Sequence, residues 1–272
     1  MVQTGSKNLL KKLMRLKSKK ARNEAGLFVV EGEKFVNDIG IDFEITEYVF
    51  SESFLAKSDI SSYLNRSGRT EFTTFTDYDF ARISDTVTPQ GILAVVKQRK
   101  YDLEHVISGN TPFIIIGENI NDPGNMGTVI RTADACGCDA VVFTEQSADI
   151  YNPKVIRAAA GSLCHLPIIH VKSLEDIVYV LKQRQIKIIA ASLKGRALPY
   201  DIKLNEPNVG IAVLLGNESS GLTEHAEAMA DVLVKIPMIG KAESLNASVA
   251  GGVLMYEVVR QRLECIVKLN FK

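Results

Sequence analysis

Residues 112–131 read P-F-I-I-I-G-E-N-I-N-D-P-G-N-M-G-T-V-I-R, and this stretch decides the fold. The apolar run 113–116 does not alternate with polar residues, which is typical of a strand buried on both faces. A loop rich in Gly, Pro and Asn follows, and a helical pattern covers 127–136, with Asn125 placed to cap the helix. Strand, loop and helix in this order form the unit of a parallel α/β sheet.

The same unit recurs through the second half of the chain. Short β-branched runs predict strands at 113–116, 140–143, 166–171, 186–191, 209–215 and 232–236. Between and after them the sequence predicts helices at 127–136, 153–163, 174–184, 222–230 and 246–268. This alternation predicts a parallel sheet with helices on both faces, and ligands of such sheets bind at the carboxyl ends of the strands.

The first hundred residues have shorter elements. A basic helix is predicted over 7–20 and strands at 27–30, 45–50, 71–75 and 92–97, with helices from about 32, at 54–64 and at 77–83. The polar stretch 98–111 is rich in turn formers, as linkers are. We therefore predict a small α/β domain over 1–105 and a parallel-sheet domain over 106–272.

Composition limits the class of protein. The chain has 272 residues, of which 46% are hydrophobic and 24% charged, with a formal net charge of zero. These values are ordinary for a globular protein. No apolar run approaches the ~18 residues of a membrane helix, and no secretory signal is visible, so we expect a cytoplasmic protein without a membrane partner.

Charge is distributed unevenly along the chain. Residues 1–22 carry eight basic residues and no acidic one. A basic arm on a mildly acidic body indicates a polyanion partner, and the alternative is a solvated Lys-rich helix. If the partner is RNA, the candidate phosphate contacts are Lys11, Lys12, Arg15, Lys19, Lys20 and Arg22.

Cysteine and histidine do not form a metal-binding pattern. The four cysteines contain no C-x-x-C pair, and the four histidines are scattered. We therefore predict no metal, and small buried thiols in a reducing compartment.

Two further loops at predicted strand ends hold unusual polar residues. In L-G-N-E-S-S-G-L, residues 215–222, Glu218 suits a cation, a ribose hydroxyl or an arginine, or it is a first-turn acid that complements a helix dipole. In I-P-M-I-G-K-A-E-S-L-N-A-S, residues 236–248, Ser244 and Asn246 are N-cap types. The pair Gly251-Gly252 weakens the following helix by roughly 1 kcal/mol per glycine, which indicates a close approach to its backbone.

These three loops resemble, in order and spacing, the motifs of the SpoU/TrmH family of RNA ribose 2′-O-methyltransferases. The stretch Y-N-P-K-V-I-R-A-A-A-G at 151–161 looks like the family as well. The likeness covers about 112–262, and residues 5–97 resemble the family's N-terminal substrate-binding domain.

The resemblance implies a trefoil knot in the second domain, a homodimer, and S-adenosylmethionine as cofactor. The implied cofactor pocket uses backbone groups of Gly216, Ile236 and Leu245, with Ser244 and Asn246 nearby and Ala191-Ser192 at another strand end.

The catalytic residues implied by the family are Arg131, Asn125 and Glu218. Arg131 would bind the RNA phosphate and stabilise the developing alkoxide, since a guanidinium is a poor proton acceptor. Asn125 would orient Arg131, and Glu218 would shape the site or hold an arginine.

The type of N-terminal domain favours ribosomal RNA over transfer RNA by analogy. The competing interpretations are a transfer-RNA ribose methyltransferase, a non-catalytic RNA-binding homologue, a base-methylating knotted enzyme and a nucleotide-dependent oxidoreductase. The last lacks its fingerprint, because Gly117, Gly124 and Gly127 do not have G-x-G-x-x-G spacing.

Overall fold

A computed structural model describes residues 2–65 and 71–270. Backbone contacts divide the chain into two units. The first unit comprises the chain up to Arg99 together with Asp149–His165, and the second comprises Lys100–Ala148 and the chain from Leu166 onward. The predicted domain boundary at 105/106 stays a prediction, and the contact units differ from it mainly in residues 149–165.

Short elements make up the chain as far as β5. In order they are β1 (Gln3–Thr4), α1 (Lys7–Arg15), α2 (Lys19–Ala25), β2 (Leu27–Glu31), α3 (Glu33–Asn37), β3 (Ile45–Ser51), α4 (Glu52–Lys57), α5 (Ser61–Asn65), β4 (Glu71–Phe75), α6 (Asp77–Ile83) and β5 (Ile92–Lys97).

Longer strands and helices follow. They are α7 (Leu103–Val106), β6 (Phe113–Gly117), α8 (Pro123–Ala135), β7 (Ala140–Thr144), α9 (Pro153–Ala159), β8 (Ile168–Val171), α10 (Leu174–Gln183), β9 (Ile186–Ala191), β10 (Gly210–Leu215), α11 (Glu224–Met229), β11 (Val232–Val234) and α12 (Ala247–Asn270).

The first unit is built on a mixed five-stranded sheet in the order β1-β4-β3-β5-β2. Strand β5 runs antiparallel to β2 and β3, and the other pairs are parallel. Leu10 and Leu13 of α1 and Phe80 of α6 join its buried core. The predicted helix over 7–20 is in fact two helices, because the Ser18 side chain accepts a hydrogen bond from the Ala21 N–H and starts α2.

The second unit contains six strands, all parallel, in the order β11-β9-β10-β6-β7-β8. Strands β6 and β10 are buried along their whole length, as their unbroken apolar runs predict. The chain order reverses between these two neighbours, so the loops that follow them lie side by side. Ligands bind at such a switch point in open parallel sheets.

Helix α8 begins differently from the sequence expectation. Asp122 is its N-cap, Pro123 opens the first turn, and the Asp122 side chain accepts a hydrogen bond from the Asn125 N–H at 2.7 Å. The expectation that Asn125 caps the helix is therefore wrong. As a consequence, the amide side chain of Asn125 is available for other contacts.

Helix α12 packs against α8 and β10. A Cβ atom at Gly251 would lie 2.6 Å from Cδ1 of Leu215, so a side chain there would force the buried Leu215 side chain to move. This explains the helix-weakening glycine noted in the sequence.

The described residues contain no helix long and apolar enough to cross a membrane. In the same residues no group of three or more His, Cys, Asp or Glu side chains is arranged to hold a metal ion. Burial raises the pKa of the Cys136 thiol to about 11 and that of Cys164 to about 12, in line with unreactive thiols.

A polar cluster and a cavity at the carboxyl ends of the strands

A buried carboxylate holds the loops after β6 and β10 together. Glu118, directly after β6, is only 7% exposed. It accepts hydrogen bonds from the Thr223 N–H at 2.9 Å and from the Thr223 hydroxyl at 2.8 Å. Thr223 is also the N-cap of α11, so this pairing fixes the far end of the 216–222 loop. Sequence reasoning missed Glu118, although an acidic residue directly after a fully apolar strand is a visible signal.

Side chains from all three motif loops meet in what we call the polar cluster: Asn125, Glu218, Asn246 and Ser248. The Asn125 amide donates to Oε1 of Glu218 at 3.0 Å. The Asn246 amide donates to Oδ1 of Asn125 at 2.8 Å, and the Ser248 hydroxyl lies 3.4 Å from the same oxygen. Residues far apart in the chain are thus joined by direct hydrogen bonds within the second unit.

The other contacts of Glu218 settle one of its proposed roles. Its Oε2 accepts from the Asn217 amide at 3.2 Å, and its Oε1 is 3.4 Å from the Asp122 N–H. Helix α11 begins at Glu224, so Glu218 lies in the loop and is not a first-turn acid. Among the described residues, the donors to Glu218 are amide groups, and no arginine is among them.

Asn246 also caps α12, as its residue type predicts. Its Oδ1 accepts from the Ser248 N–H at 2.9 Å and from the Ser248 hydroxyl at 2.6 Å. Ser248 is buried and was not singled out from the sequence. The signal for it was its place two residues after an N-cap, where a hydroxyl can bond the cap.

Arg131 lies on the exposed side of α8. The predicted contact with Asn125 is absent, because Glu218 and Asn246 engage both ends of the Asn125 amide. Within the described ranges, no hydrogen bond or ion pair involves the Arg131 side chain. The guanidinium is therefore free to bind an anion supplied by a ligand.

A cavity of about 290 Å³ lies beside the polar cluster, close to the lower limit of roughly 300 Å³ for ligand pockets. Every residue predicted to bind the cofactor lines it except Asn246, which lies in the polar cluster instead: Ala191, Ser192, Gly216, Ile236, Ser244 and Leu245. Glu218 lines the cavity too, so the cavity and the polar cluster share a wall.

Gly216 is required by the loop itself. The Asn217 and Gly221 backbones exchange hydrogen bonds in both directions, at 3.0 Å each, and close a tight turn. A Cβ at Gly216 would overlap the Gly221 and Leu222 backbones. A larger residue at 216 would therefore displace the turn before it reached any ligand.

The cavity also contains a charged group that sequence reasoning missed. Glu227 of α11 lines it with a side chain 12% exposed. The Ser192 hydroxyl donates to its Oε1 at 2.6 Å, and Lys194 Nζ donates to its Oε2 at 2.9 Å. These two hydrogen bonds lower the pKa of the Glu227 carboxyl and keep it ionised at neutral pH.

In the first unit, the predicted RNA contacts fall into two groups. Lys11, Lys12, Arg15, Lys19 and Lys20 are exposed on α1 and α2, and we call them the basic arm. Lys20 lies 3.9 Å from Glu24, a contact too exposed to hold it firmly. Both helices thus present cations to solvent.

Arg22 is a correction to the predicted set. It is 3% exposed, and its Nη1 donates to the Leu16 and Lys17 carbonyls at 2.8 Å each. Its Nη2 forms an ion pair with Asp149. This arginine provides hydrogen-bond donors to the carbonyl groups that follow α1, and it is not available to RNA.

Helix α12 exposes an apolar stripe, which we define as Val249, Val253, Tyr256 and Leu263. Their exposed fractions are 50%, 42%, 55% and 53%. The spacing of four, three and seven residues places them on one face of the helix. Leu254, next to Val253 in the sequence, lies on the other side of the helix and is fully buried.

Comparisons with known proteins point in one direction. Residues 112–256 match the model of the SpoU rRNA Methylase family, and residues 7–94 match that of the MRM3-like substrate binding domain. The chain is 30% identical over 261 residues to the 23S rRNA (guanosine(2553)-2'-O)-methyltransferase RlmP of Bacillus subtilis (strain 168), covering 94% of this chain and 98% of that protein. It is 32% identical over 180 residues to the 23S rRNA (uridine(2479)-2'-O)-methyltransferase of Streptomyces viridochromogenes, covering 64% of this chain and 62% of that protein.

Solved structures agree with the fold. The SpoU methyltransferase AviRb from Streptomyces viridochromogenes, in complex with the cofactor AdoMet, aligns with a TM-score of 0.85 at 26% identity over 95% of this chain and 99% of that one. The AdoMet-bound rRNA methyltransferase from Sinorhizobium meliloti aligns with a TM-score of 0.84 at 25% identity, covering 95% of this chain and 98% of that one.

Proposed function

Because this chain belongs to the SpoU rRNA methylase family, we propose that it transfers a methyl group from S-adenosylmethionine to a ribose 2′-hydroxyl of ribosomal RNA. The observation that carries the proposal is the polar cluster, in which three distant motifs meet beside a cavity. The relatives named as 23S rRNA 2'-O-methyltransferases support the ribosomal substrate and the ribose position.

The cavity suits S-adenosylmethionine. Leu245 and Ile236 offer apolar side chains to the faces of an adenine ring, and the backbones of Gly216 and its neighbours offer polar groups to its edge. When bound, the cofactor supplies a methyl group on a positively charged sulfur, which is already a strong electrophile. The protein therefore has to align the hydroxyl and assist the loss of its proton.

Arg131 is the proposed catalytic residue. Its free guanidinium binds the phosphate next to the target ribose and stabilises negative charge on the 2′-oxygen as the hydroxyl proton passes to solvent water. It does not accept that proton, since a guanidinium stays charged at any physiological pH.

The polar cluster has a positioning role. Glu218 accepts a hydrogen bond from the Asn125 amide, and Asn125 accepts one from the Asn246 amide. These bonds hold the three loops in one arrangement. A fixed arrangement contributes to the rate because small misplacements of reacting groups are costly. The proposed contribution of Asn125 is thus to the loops and not to Arg131 directly.

We assign RNA holding to the first unit. The basic arm carries Lys11, Lys12, Arg15, Lys19 and Lys20, whose charges suit phosphate groups. The match of residues 7–94 to a substrate binding domain supports this assignment.

A trefoil knot belongs to the proposal. The Ser192 N–H donates to the Val234 carbonyl, and the Lys235 N–H donates to the Ala197 carbonyl, both at 2.9 Å. The segment 192–197 therefore contacts the β11 region at both of its ends. A Cβ at Gly195 would lie 2.7 Å from the Leu233 carbonyl oxygen, so the two backbones are in close contact.

We propose a homodimer with the apolar stripe of α12 at the interface, because a contiguous exposed apolar face is typical of a surface covered by a partner. Light scattering at micromolar concentration is expected to give twice the mass of the chain, and Val253→Asp is expected to give the monomer. A wild-type monomer would contradict this part of the proposal.

Mapping of 2′-O-methylation in total RNA tests the function in cells. A deletion strain is expected to lose methylation at a site in ribosomal RNA that its parent carries, and the wild-type gene is expected to restore it. The matched control is the gene with Arg131→Ala, which is expected not to restore it. Loss at a transfer-RNA site alone would overturn the ribosomal assignment.

A further inference from the structure

The cavity has a second carboxylate for which the proposed chemistry has no use. Among the described residues, Glu218 and Glu227 are the acidic side chains that line it. Both oxygens of Glu218 already accept hydrogen bonds within the polar cluster. Glu227 lies elsewhere on the cavity wall, on α11, and takes no part in that cluster.

Glu227 is held in place and still has acceptor capacity. Ser192 donates to Oε1 at 2.6 Å, and Lys194 donates to Oε2 at 2.9 Å, so each oxygen has one donor. An ionised carboxylate offers about four acceptor positions. One position on each oxygen therefore remains for a ligand.

We infer that Glu227 accepts hydrogen bonds from the two ribose hydroxyls of S-adenosylmethionine, with Ser192 and Lys194 as its positioning residues. The inference rests on the proposed function, since it names a contact to the proposed cofactor. Two carboxylate oxygens side by side match two vicinal hydroxyls, and acidic side chains bind ribose hydroxyls in dinucleotide sites for the same reason.

The neighbouring charge argues against the ammonium group of the cofactor as the ligand of Glu227. The Lys194 ammonium already lies 2.9 Å from the carboxylate, so a second cation there would be repelled by the first. Hydroxyl groups are neutral donors and meet no such repulsion.

Isothermal titration with S-adenosylhomocysteine and its 2′-deoxy and 3′-deoxy forms tests the contact in the full-length protein. Each missing hydroxyl is expected to lower the affinity of the wild type by about ten- to a hundredfold, as for hydrogen bonds to charged groups. Glu227→Gln is expected to lower the affinity for S-adenosylhomocysteine by a similar factor and to shrink both deoxy penalties. The matched control is Glu224→Gln, an exposed acid on the same helix, which is expected to keep the wild-type pattern.

A ligand without the amino-acid tail separates the alternatives. The Glu227→Gln loss is expected to be the same for 5′-methylthioadenosine as for S-adenosylhomocysteine. A loss confined to S-adenosylhomocysteine would mean that Glu227 binds the tail, and would overturn the inference. Equal deoxy penalties in wild type and variant would overturn it too.

The titrations with the deoxy ligands use wild-type protein, so they test the contact even if Glu227→Gln does not fold. Wild-type affinities that do not change when either hydroxyl is removed would exclude the contact. Wild-type protein that binds none of these ligands would instead refute the proposed cofactor, and the inference with it.

Discussion

The second unit contains polar side chains that are hydrogen-bonded to one another, and it also contains an arginine without a partner among the described residues. Asn125, Glu218 and Asn246 are joined by hydrogen bonds of 2.8–3.0 Å. Arg131, six residues after Asn125 in the chain, has no hydrogen bond or ion pair to any residue that the structure describes. The basic arm of the first unit resembles Arg131 in this respect, since Lys11, Arg15 and Lys19 have no ion-pair partner in the described chain.

This difference separates two tasks. In the polar cluster, side chains that bind each other hold the loops in shape, and both ends of the Asn125 amide are already engaged. Cations without partners retain their full capacity for phosphate and cost little to bring into contact with it. The proposed chemistry therefore depends on Arg131, and the accuracy of the site depends on the polar cluster.

The sharpest way to break the comparison is to remove the free cation of the site. Arg131→Ala is expected to lower the rate of single-turnover methyl transfer by on the order of 10²–10³, the cost of losing one donor to a developing oxyanion. Arg131→Lys should recover the rate only in part, since an ammonium lacks the planar fork of donors. The melting temperature should not change, because the side chain has no partner to lose.

The matched control for that experiment is Arg184→Ala, which removes an exposed arginine after α10. It should transfer methyl at the wild-type rate. An Arg131→Ala variant that is equally fast but less stable would make Arg131 a structural residue.

Breaking the polar cluster should have the opposite signature. Asn125→Ala removes one amide donor to Glu218 and the acceptor of the Asn246 amide, so it is expected to destabilise the protein by about 1–3 kcal/mol. For a chain of this size that corresponds to a fall in melting temperature of several degrees. We expect the rate of single-turnover methyl transfer to fall about tenfold, less than for Arg131→Ala. Calorimetry measures the accompanying loss of stability. Unchanged stability would show that the hydrogen bonds of the polar cluster do not stabilise the three loops.

Cofactor affinity should depend on the apolar wall of the cavity. Leu245→Ala removes methyl groups that line the cavity at the proposed adenine contact, and it is expected to weaken S-adenosylmethionine binding about five- to thirtyfold by titration calorimetry. Ile239→Ala is the matched control, because Ile239 is an exposed apolar residue of the same 236–248 loop and does not line the cavity. Equal affinities in the two variants would place the adenine elsewhere.

The smallest effect is expected in the basic arm, where each charge contributes little. Replacing Lys11, Arg15 and Lys19 together by Ala should weaken RNA binding several-fold and reduce the slope of log affinity against log salt by about 2. The same number of charges removed at Lys172, Lys182 and Arg184 controls for net charge. An unchanged slope would mean that the basic arm does not bind RNA phosphates and is a solvated, Lys-rich region.

The sequence was sufficient to predict the positions of Asn125, Glu218 and Asn246, because each follows an unbroken apolar strand or begins the last helix. Adjacent parallel strands necessarily bring such positions to one edge of the sheet. It was insufficient for Arg22, whose burial depends on Asp149, more than a hundred residues away. From the charge of residues 1–22 alone, Arg22 is predicted to be an exposed RNA contact like its basic neighbours.

Glu227 shows the same limit within the site. Nothing in its local sequence distinguishes it from Glu224, three residues earlier on α11. Only the fold brings Ser192 and Lys194 to its carboxylate. Local pattern predicts elements and capping residues such as Asn246, whereas contacts between distant side chains need the structure.

The central claim is transfer to a ribose oxygen of ribosomal RNA, and one measurement tests it directly. Purified protein is incubated with methyl-labelled S-adenosylmethionine and ribosomal RNA from a deletion strain, and the RNA is digested to nucleosides and analysed by mass spectrometry. We expect the label in a 2′-O-methylnucleoside, and its near absence when Arg131→Ala protein is used. A label found on a base, or protein that binds the cofactor yet transfers nothing to this RNA, would contradict it.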